Sequence, residues 1–157
     1  MIREARSDDF DAVMRLYRQL QADDPVLTDG SDRLTFDRIL GTPGLTLFVL
    51  EQGDRVVATT YLNVIPNISR RASPYAVIEN VVVEEELRGT GLGKQIMSGT
   101  LDAAWAAGCY KAMLMTGSKD ESTHAFYRSC GFSPHEKTAY LARRPAFSRL
   151  TGENADR

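Results

Sequence analysis

The feature that most restricts the fold lies mid-chain, where residues 75–97 read YAVIENVVVEEELRGTGLGKQIM. Residues 75–83 are almost wholly apolar and rich in valine, which suits a strand buried on both faces at the centre of a sheet. Glu79 is the exception. A short acidic stretch follows, then three glycines at alternate positions, Gly89, Gly91 and Gly93. After them Leu92, Ile96, Thr100 and Ala104 recur every four residues, flanked by Met97, Leu101 and Trp105. That spacing predicts a helix of about five turns, stopped by Gly108. A buried strand, a glycine turn and a long helix in direct succession require an α/β arrangement.

The rest of the chain supplies the remaining elements. Residues 2–5 read as a short strand. Ser7 or Asp8 then caps a helix in which Phe10, Val13, Met14, Leu16, Tyr17 and Leu20 recur at helical spacing. Residues 22–30 form a polar loop, and a shorter helix spans 31–40, ending at Gly41-Thr42-Pro43-Gly44. The period then changes to two. Residues 46–51, the turn Gln52-Gly53-Asp54 and residues 55–65 make a β-hairpin. In its second strand Val56, Ala58, Thr60, Leu62 and Val64 share one face, while Tyr61 and Asn63 make the other face more polar. A loop at 66–74 leads into the central strand. Residues 109–116 predict another strand, 121–130 a helix ended by Gly131, and 132–143 one or two closing strands. The order β-α-α-β-β-β-α-β-α-β fits one domain over residues 1–145, with residues 146–157 a loose tail.

Composition removes several function classes. Of the 157 residues 43% are hydrophobic, enough for one domain with a core and too few for two ordinary ones. A formal net charge of −2 leaves no basic excess to neutralise phosphates, so no nucleic acid partner is expected. The longest apolar runs are of strand length, so no membrane span is expected. The start MIREARSDDFD has acids where a signal peptide needs an apolar core, which makes a cytoplasmic protein the expectation. Cys109, Cys130, His124 and His135 follow no metal-ligand spacing, so no metal is expected. Both cysteines read as small buried apolar residues in a reducing compartment.

Three readings of the glycine loop compete. A P-loop needs four residues between its first glycine and Gly-Lys, with Ser or Thr next to ligate Mg²⁺. Here three residues separate Gly89 from Gly93, and Gln95 follows Lys94. A dinucleotide fingerprint needs a glycine three positions after Gly91, and Lys94 stands there. A plain tight turn would need only one glycine. Three of them sacrifice backbone entropy and packing, and in return open several N–H groups at a helix N-terminus to a diphosphate.

The stretch Arg88–Gly93, RGTGLG, resembles the Arg/Gln-x-x-Gly-x-Gly/Ala signature of the GNAT superfamily of N-acetyltransferases. The strand IENVVV before it, GCYK at 108–111 and AFYRSCGF at 125–132 match that superfamily's central motifs in order and spacing. The resemblance covers residues 2 to about 142 and points to the small-molecule amine branch. It implies an α/β (α+β) GNAT fold: a central mixed, mostly antiparallel twisted sheet of six to seven strands, flanked by about four helices. It also implies transfer of the acetyl group of acetyl-CoA to a primary amine by direct attack, without a metal. A protein or peptide acetyltransferase and a non-catalytic acetyl-CoA-binding module are the alternatives. Dimers are common in the superfamily, so a homodimer is an open expectation.

Residue by residue, the resemblance implies that the pantetheine arm pairs with the strand at Val81, Val82 and Val83. The pyrophosphate is implied to sit on the N–H groups of Arg88, Gly89, Thr90, Gly91, Leu92 and Gly93, with Lys94 nearby. Tyr127 takes the position whose phenol protonates or hydrogen-bonds the leaving sulfur. Glu79 is the candidate base, because a carboxylate on an apolar strand is expensive to bury without a partner or a task. Partial burial would raise its pKa toward a useful range. An ion pair with Arg70, Arg71 or Lys111 is the competing reading of Glu79, and Arg70 and Arg71 are also candidates to meet an acidic group on the substrate. The oxyanion is expected at an N–H near Val81, exposed by a bulge. Many relatives carry an asparagine seven residues before the tyrosine. Asp120 stands there, and a carboxylate cannot donate the same hydrogen bond to pantetheine. Asn80 stands where the glucosamine-phosphate members carry an acid. Glu84, Glu85 and Glu86 read as a solvated loop, and His124 as a helix-surface residue.

Overall fold

Alternation along the hairpin decides the layers. In the computed structural model, which describes residues 1–144, the hairpin strands β2 (Leu45–Gln52) and β3 (Arg55–Ile65) form the middle of a five-stranded sheet. β1 (Ile2–Glu4) pairs with β2, and β4 (Tyr75–Val83) pairs with β3, all antiparallel. β5 (Ala112–Met113) lies parallel to β4 and closes the order β1-β2-β3-β4-β5. The expected spans of β3, β4 and helix α2 (Ser31–Leu40) coincide with the observed ones.

Side chains on the two faces of the sheet enter different cores. Leu47 and Val49 of β2 join Val13 and Leu16 of helix α1 (Phe10–Leu20) and Phe36 of α2. Phe48 and Leu50, their neighbours in sequence, join Ile96, Met97 and Ala104 of helix α4 (Leu92–Ala106) on the opposite face. Helix α5 (Glu121–Ser129) adds Phe126 and Tyr127 to that second core. The molecule is therefore a sheet with α1 and α2 on one face and α4 and α5 on the other. Each fully buried Leu or Val stabilises it by about 1.5–3 kcal/mol.

Several expectations need correction. The sheet has five strands among the described residues, not six to seven. β5 is two residues long instead of spanning 109–116. The closing strands expected at 132–143 are not formed. Pro134 lacks an N–H for a ladder, and residues 133–144 are exposed, with Tyr140 92% accessible. The cap assigned to Ser7 or Asp8 is not made either. A 3-10 turn, Ser7–Asp9, precedes α1. The Asp9 carboxylate instead accepts from the Arg6 N–H at 2.7 Å and from Arg3 at 2.6 and 2.8 Å. The C-terminal segment 146–157 lies outside the described residues.

A one-turn element α3 (Ser69–Ala72) joins β3 to β4 with Arg70, Arg71 and Ala72 at φ of 57°, 62° and 59°. Among the described residues no helix is long and apolar enough to cross a membrane. No group of three or more His, Cys, Asp or Glu side chains is placed there to hold a metal ion.

Candidate active site

The pairing of β3 with β4 slips at one point. Ala58 pairs with Val83 and Thr59 with Val82, but Tyr61 pairs with Glu79. Thr60 thus stands opposite two residues, Asn80 and Val81, in a β-bulge. The bulge expected near Val81 is present. Asn80 takes φ of 50°, in the left-handed region that asparagine tolerates better than most residues. The extra residue inverts the alternation of the strand. Before it Ala76 and Ile78 face α4; after it Val81 and Val83 do, and Val82 turns to the α1 core.

On the α1 side, Glu79 and Asn80 both line a cleft of about 350 Å³, although they are consecutive residues. Leu45, Ile65 and Val77 give the cleft apolar walls, and Tyr61 and Asn63 add polar ones. The more polar face read from β3 is therefore the cleft face. Glu79 is half-buried, and none of the ion pairs among the described residues includes it. Of its expected cationic partners, Lys111 lies over the rings of Tyr75 and Tyr110 at 5.3 and 5.5 Å, and Arg70 and Arg71 are exposed in α3.

β4 loses its outer neighbour already before the bulge. β4 and β5 pair only at Ala76–Ala112 and Val77–Met113, supported by the Ala76 N–H donating to the Lys111 carbonyl at 2.9 Å. The outer edge of β4 at Val81–Val83 consequently has no strand partner among the described residues.

The glycine loop sits at the end of that edge. Gly89 and Gly91 have φ of 77° and 91°, and a Cβ on either would meet no atom within 4 Å. The first rung of α4 is the Gln95 N–H to the Gly91 carbonyl, at 3.0 Å. The N–H groups of Leu92, Gly93 and Lys94 therefore find no backbone acceptor among the described residues. Three free amides, a helix N-terminus and two bare backbone positions fit a diphosphate. Gly93 has a different reason. A Cβ there would lie 3.1 Å from Phe126 Cε2 and 3.4 Å from Val83 Cγ2, so this glycine lets α5 pack against α4. Thr90 donates its hydroxyl to the Leu87 carbonyl at 2.6 Å, and Arg88 Nε donates to the Val83 carbonyl at 3.3 Å. Lys94 is exposed.

Tyr127 of α5 is half-buried, with its ring centroid 5.1 Å from that of Phe126 and 6.3 Å from that of Phe132. Burial, then the neighbouring Cys130, then the Glu79 carboxylate push its phenol above the usual tyrosine value. The structure thus brings Tyr127 within the electrostatic reach of Glu79, although they approach from opposite faces of the sheet. Asp120 stands at the N-cap of α5, exposed, and its side chain makes no capping bond. His124 places Nε2 2.9 Å from the Ser118 carbonyl oxygen, at half-buried depth. Cys109 is buried and Cys130 half-buried, and burial raises the pKa of both thiols.

One contact escaped the sequence reading. Glu84 is not a solvated acid: it is buried, pairs with Arg15, and accepts from Arg55 Nη2 at 2.8 Å and Gln19 Nε2 at 2.6 Å. Only Glu85 and Glu86 are exposed. Tyr17, counted among the core positions of α1, packs against that core, and burial pushes its phenol up to about 12.

Comparison with known proteins agrees with this architecture. The model of the acetyltransferase (GNAT) family matches residues 10–132. Glucosamine 6-phosphate N-acetyltransferase of Trypanosoma brucei brucei is 32% identical over 95 residues, 60% of this chain and 63% of that protein. The chain thus spans less than two thirds of that relative's length. A putative acetyltransferase from Agrobacterium tumefaciens superposes with a TM-score of 0.87 at 42% identity, covering 92% of this chain and 99% of the other. Glucosamine-6-phosphate N-acetyltransferase from Arabidopsis thaliana superposes with a TM-score of 0.78 at 25% identity, covering 92% and 97%. The match of the family model over most of the chain, with solved structures that superpose over 92% of it, leads to one conclusion: this chain belongs to the acetyltransferase (GNAT) family.

Proposed function

We propose that the protein transfers the acetyl group of acetyl-CoA to a primary amine of a small molecule. The observation that carries this reading is the relation of Glu79 to Tyr127. A carboxylate lines the cleft on one face of the sheet, its charge reaches a phenol packed on the other face, and β4 has no partner strand beside them. An amine entering as an ammonium needs a base, and a departing sulfur needs a proton.

When bound, acetyl-CoA supplies a thioester-activated acyl group. The free amides of Leu92, Gly93 and Lys94 and the open backbone at Gly89 and Gly91 would hold its diphosphate, with Arg88, Thr90 and Lys94 alongside. The free edge of β4 at Val81, Val82 and Val83 would hydrogen-bond its pantetheine arm as an added strand. Glu79 takes the proton from the incoming ammonium. An N–H at the Asn80–Val81 bulge donates to the developing oxyanion. Tyr127 keeps its proton at Oη through neutral pH, because its pKa lies above the usual value, and gives it up as the sulfur departs.

The cleft also speaks to the acceptor. At about 350 Å³ it falls at the small end of ligand pockets, which favours a small molecule over an extended peptide. Glu79 is the charged residue in its lining, which suits a cationic amine. Two of the similar proteins are named for acetylating an amino sugar phosphate, which supports the same general class.

Free-thiol release from acetyl-CoA across amino sugars, aminophosphonates, polyamines, aminoglycosides and peptides tests this reading. Turnover with a small amine is expected. Tight CoA binding with no turnover on any amine would overturn it in favour of a binding module, and turnover on peptides alone would make it a peptide acetyltransferase. Glu79→Gln should flatten the acidic limb of the pH–rate profile.

A further inference from the structure

The cleft face of the sheet carries a cation that the acetyl transfer does not use. β4 and β5 lie in parallel register, with Ala76 beside Ala112 and Val77 beside Met113. Ala76 and Ala112 both enter the core under α4. Val77 and Met113 therefore point to the opposite face, where Val77 lines the cleft. Two residues earlier in each segment, on that same face, stand Tyr75 and Lys111. Their contact agrees with this placement: the Lys111 ammonium sits 5.3 Å from the centroid of the Tyr75 ring and 5.5 Å from that of Tyr110. The backbone there is fastened by the Tyr110 N–H donating to the Pro74 carbonyl at 3.0 Å and the Ala76 N–H donating to the Lys111 carbonyl at 2.9 Å. Lys111 is half-buried, and two aromatic rings hold its ammonium in one place. Rings attract a cation without neutralising it. No ion pair among the described residues includes Lys111.

Glu79, the charged residue of the cleft lining, also lacks an ion-pair partner among the described residues. Tyr75 and Glu79 are four residues apart on β4, about 13 Å along the strand. The cleft face of β4 thus has a carboxylate toward one end and an ammonium over the other, with apolar Val77 between them. The two opposite charges do not neutralise each other, so each stays open to a ligand. We propose that Lys111 is a specificity-determining residue: it receives an anionic group, a phosphate or a carboxylate, on the same small molecule whose amine is acetylated beside Glu79. The proposal rests on the function given above and narrows its acceptor to amines that also carry a negative charge. Two accounts compete with it. Lys111 could serve only to cover the two rings, or the exposed Arg70 and Arg71 of α3 could take the anion instead.

Matched amines read the charge. One pair is glucosamine and glucosamine 6-phosphate; the other is aminohexanol and aminohexanoate. The wild type should favour the anionic member of at least one pair by about tenfold in kcat/KM, the size expected of one charge-assisted contact. Preference in the first pair assigns a phosphate, and in the second a carboxylate. In Lys111→Met that preference should fall about tenfold, through the KM of the anionic amine and not through kcat, while Lys111→Arg keeps most of it. Calorimetry of the anionic amines without acetyl-CoA should show the same loss of affinity in Lys111→Met. No preference in either pair, or a preference unchanged in Lys111→Met, would overturn the proposal. So would an equal loss on both members of a pair, which marks a structural role. A preference that survives Lys111→Met and vanishes in the Arg70→Ala/Arg71→Ala double variant also overturns it, by moving the anion to α3. Calorimetry reads binding without transfer. A wild type that turns over no amine therefore sinks the proposed function, while the affinity difference between wild type and Lys111→Met decides the anion site separately.

Discussion

Replacing Glu84 with alanine should unfasten helix α1 from the sheet, and the size of the loss follows from the exposure of its partners. The Glu84 side chain is 7% exposed and accepts bonds from Arg15, Arg55 and Gln19. Removing one partner of a fully buried ion pair costs about 3–5 kcal/mol, because the other charge is stranded. Here the stranded guanidinium groups keep access to water, the Arg15 side chain being 34% and that of Arg55 53% exposed. Rehydration offsets part of the cost, leaving a net loss of about 2 kcal/mol. At about 2–4 °C per kcal/mol for a chain of this length, the melting temperature should fall by about 4–8 °C. Glu84→Gln retains an acceptor and should lose about half as much. Urea and thermal unfolding followed by circular dichroism measure both variants. A Glu84→Ala midpoint within about 1 °C of wild type would refute the idea that this cluster fastens α1 to β4.

Other outcomes follow from the same structure. Tyr127→Phe should lower kcat while acetyl-CoA affinity measured by calorimetry stays nearly intact; in the wild type the alkaline limb of kcat should lie above the ordinary tyrosine value, since burial, Cys130 and Glu79 all raise the phenol. Equal kcat in the variant removes the role. Arg3 holds the carboxyls of Asp9 and Glu51 below their usual values, chiefly by side-chain hydrogen bonds. Its stabilisation is therefore present above about pH 4 and disappears as pH falls through the depressed folded values. The stability gap between wild type and Arg3→Met should be flat from pH 5 to 8 and shrink on acidification; a gap that widens in acid contradicts the assignment. Gly93→Ala gains at most about 1 kcal/mol of helix propensity, against about 1–3 kcal/mol for crowding the Phe126 ring 3.1 Å away. It should melt slightly lower and lose kcat through displacement of the adjacent Tyr127, so a more stable, fully active variant counts against it.

The sequence reading succeeded where periodicity and local chemistry carry the information. Apolar alternation sets β3, and a continuous apolar run sets β4, to the residue. The glycines of the loop announce a turn into α4, and their spacing with Arg88 separates it from nucleotide-binding loops. The polar face of β3 at Tyr61 and Asn63 is the cleft face. Motif order makes Tyr127 a candidate, and a lone carboxylate on an apolar strand makes Glu79 one, as expectations that activity assays are to test. Local patterns record which side of an element is buried and which backbone shape a residue tolerates, and these points need nothing more.

The remaining features depend on residues distant in sequence. Glu84 looks like one of three solvated acids until Arg15, 69 positions earlier, is laid beside it. The length of β5 depends on how far β4 stays beside it, and their pairing ends at Val77–Met113. Gly93 looks like one more phosphate-loop glycine until α5 brings Phe126 against it. From the sequence alone come the element order, the glycine cradle and the two candidate catalytic residues, because each is written in a short window. Only tertiary structure decides that the register slips opposite Thr60, that Glu84 is buried against Arg15, and that the charge of a carboxylate on one face reaches a phenol on the other. Register and contact are properties of pairs of segments, and no single segment carries them.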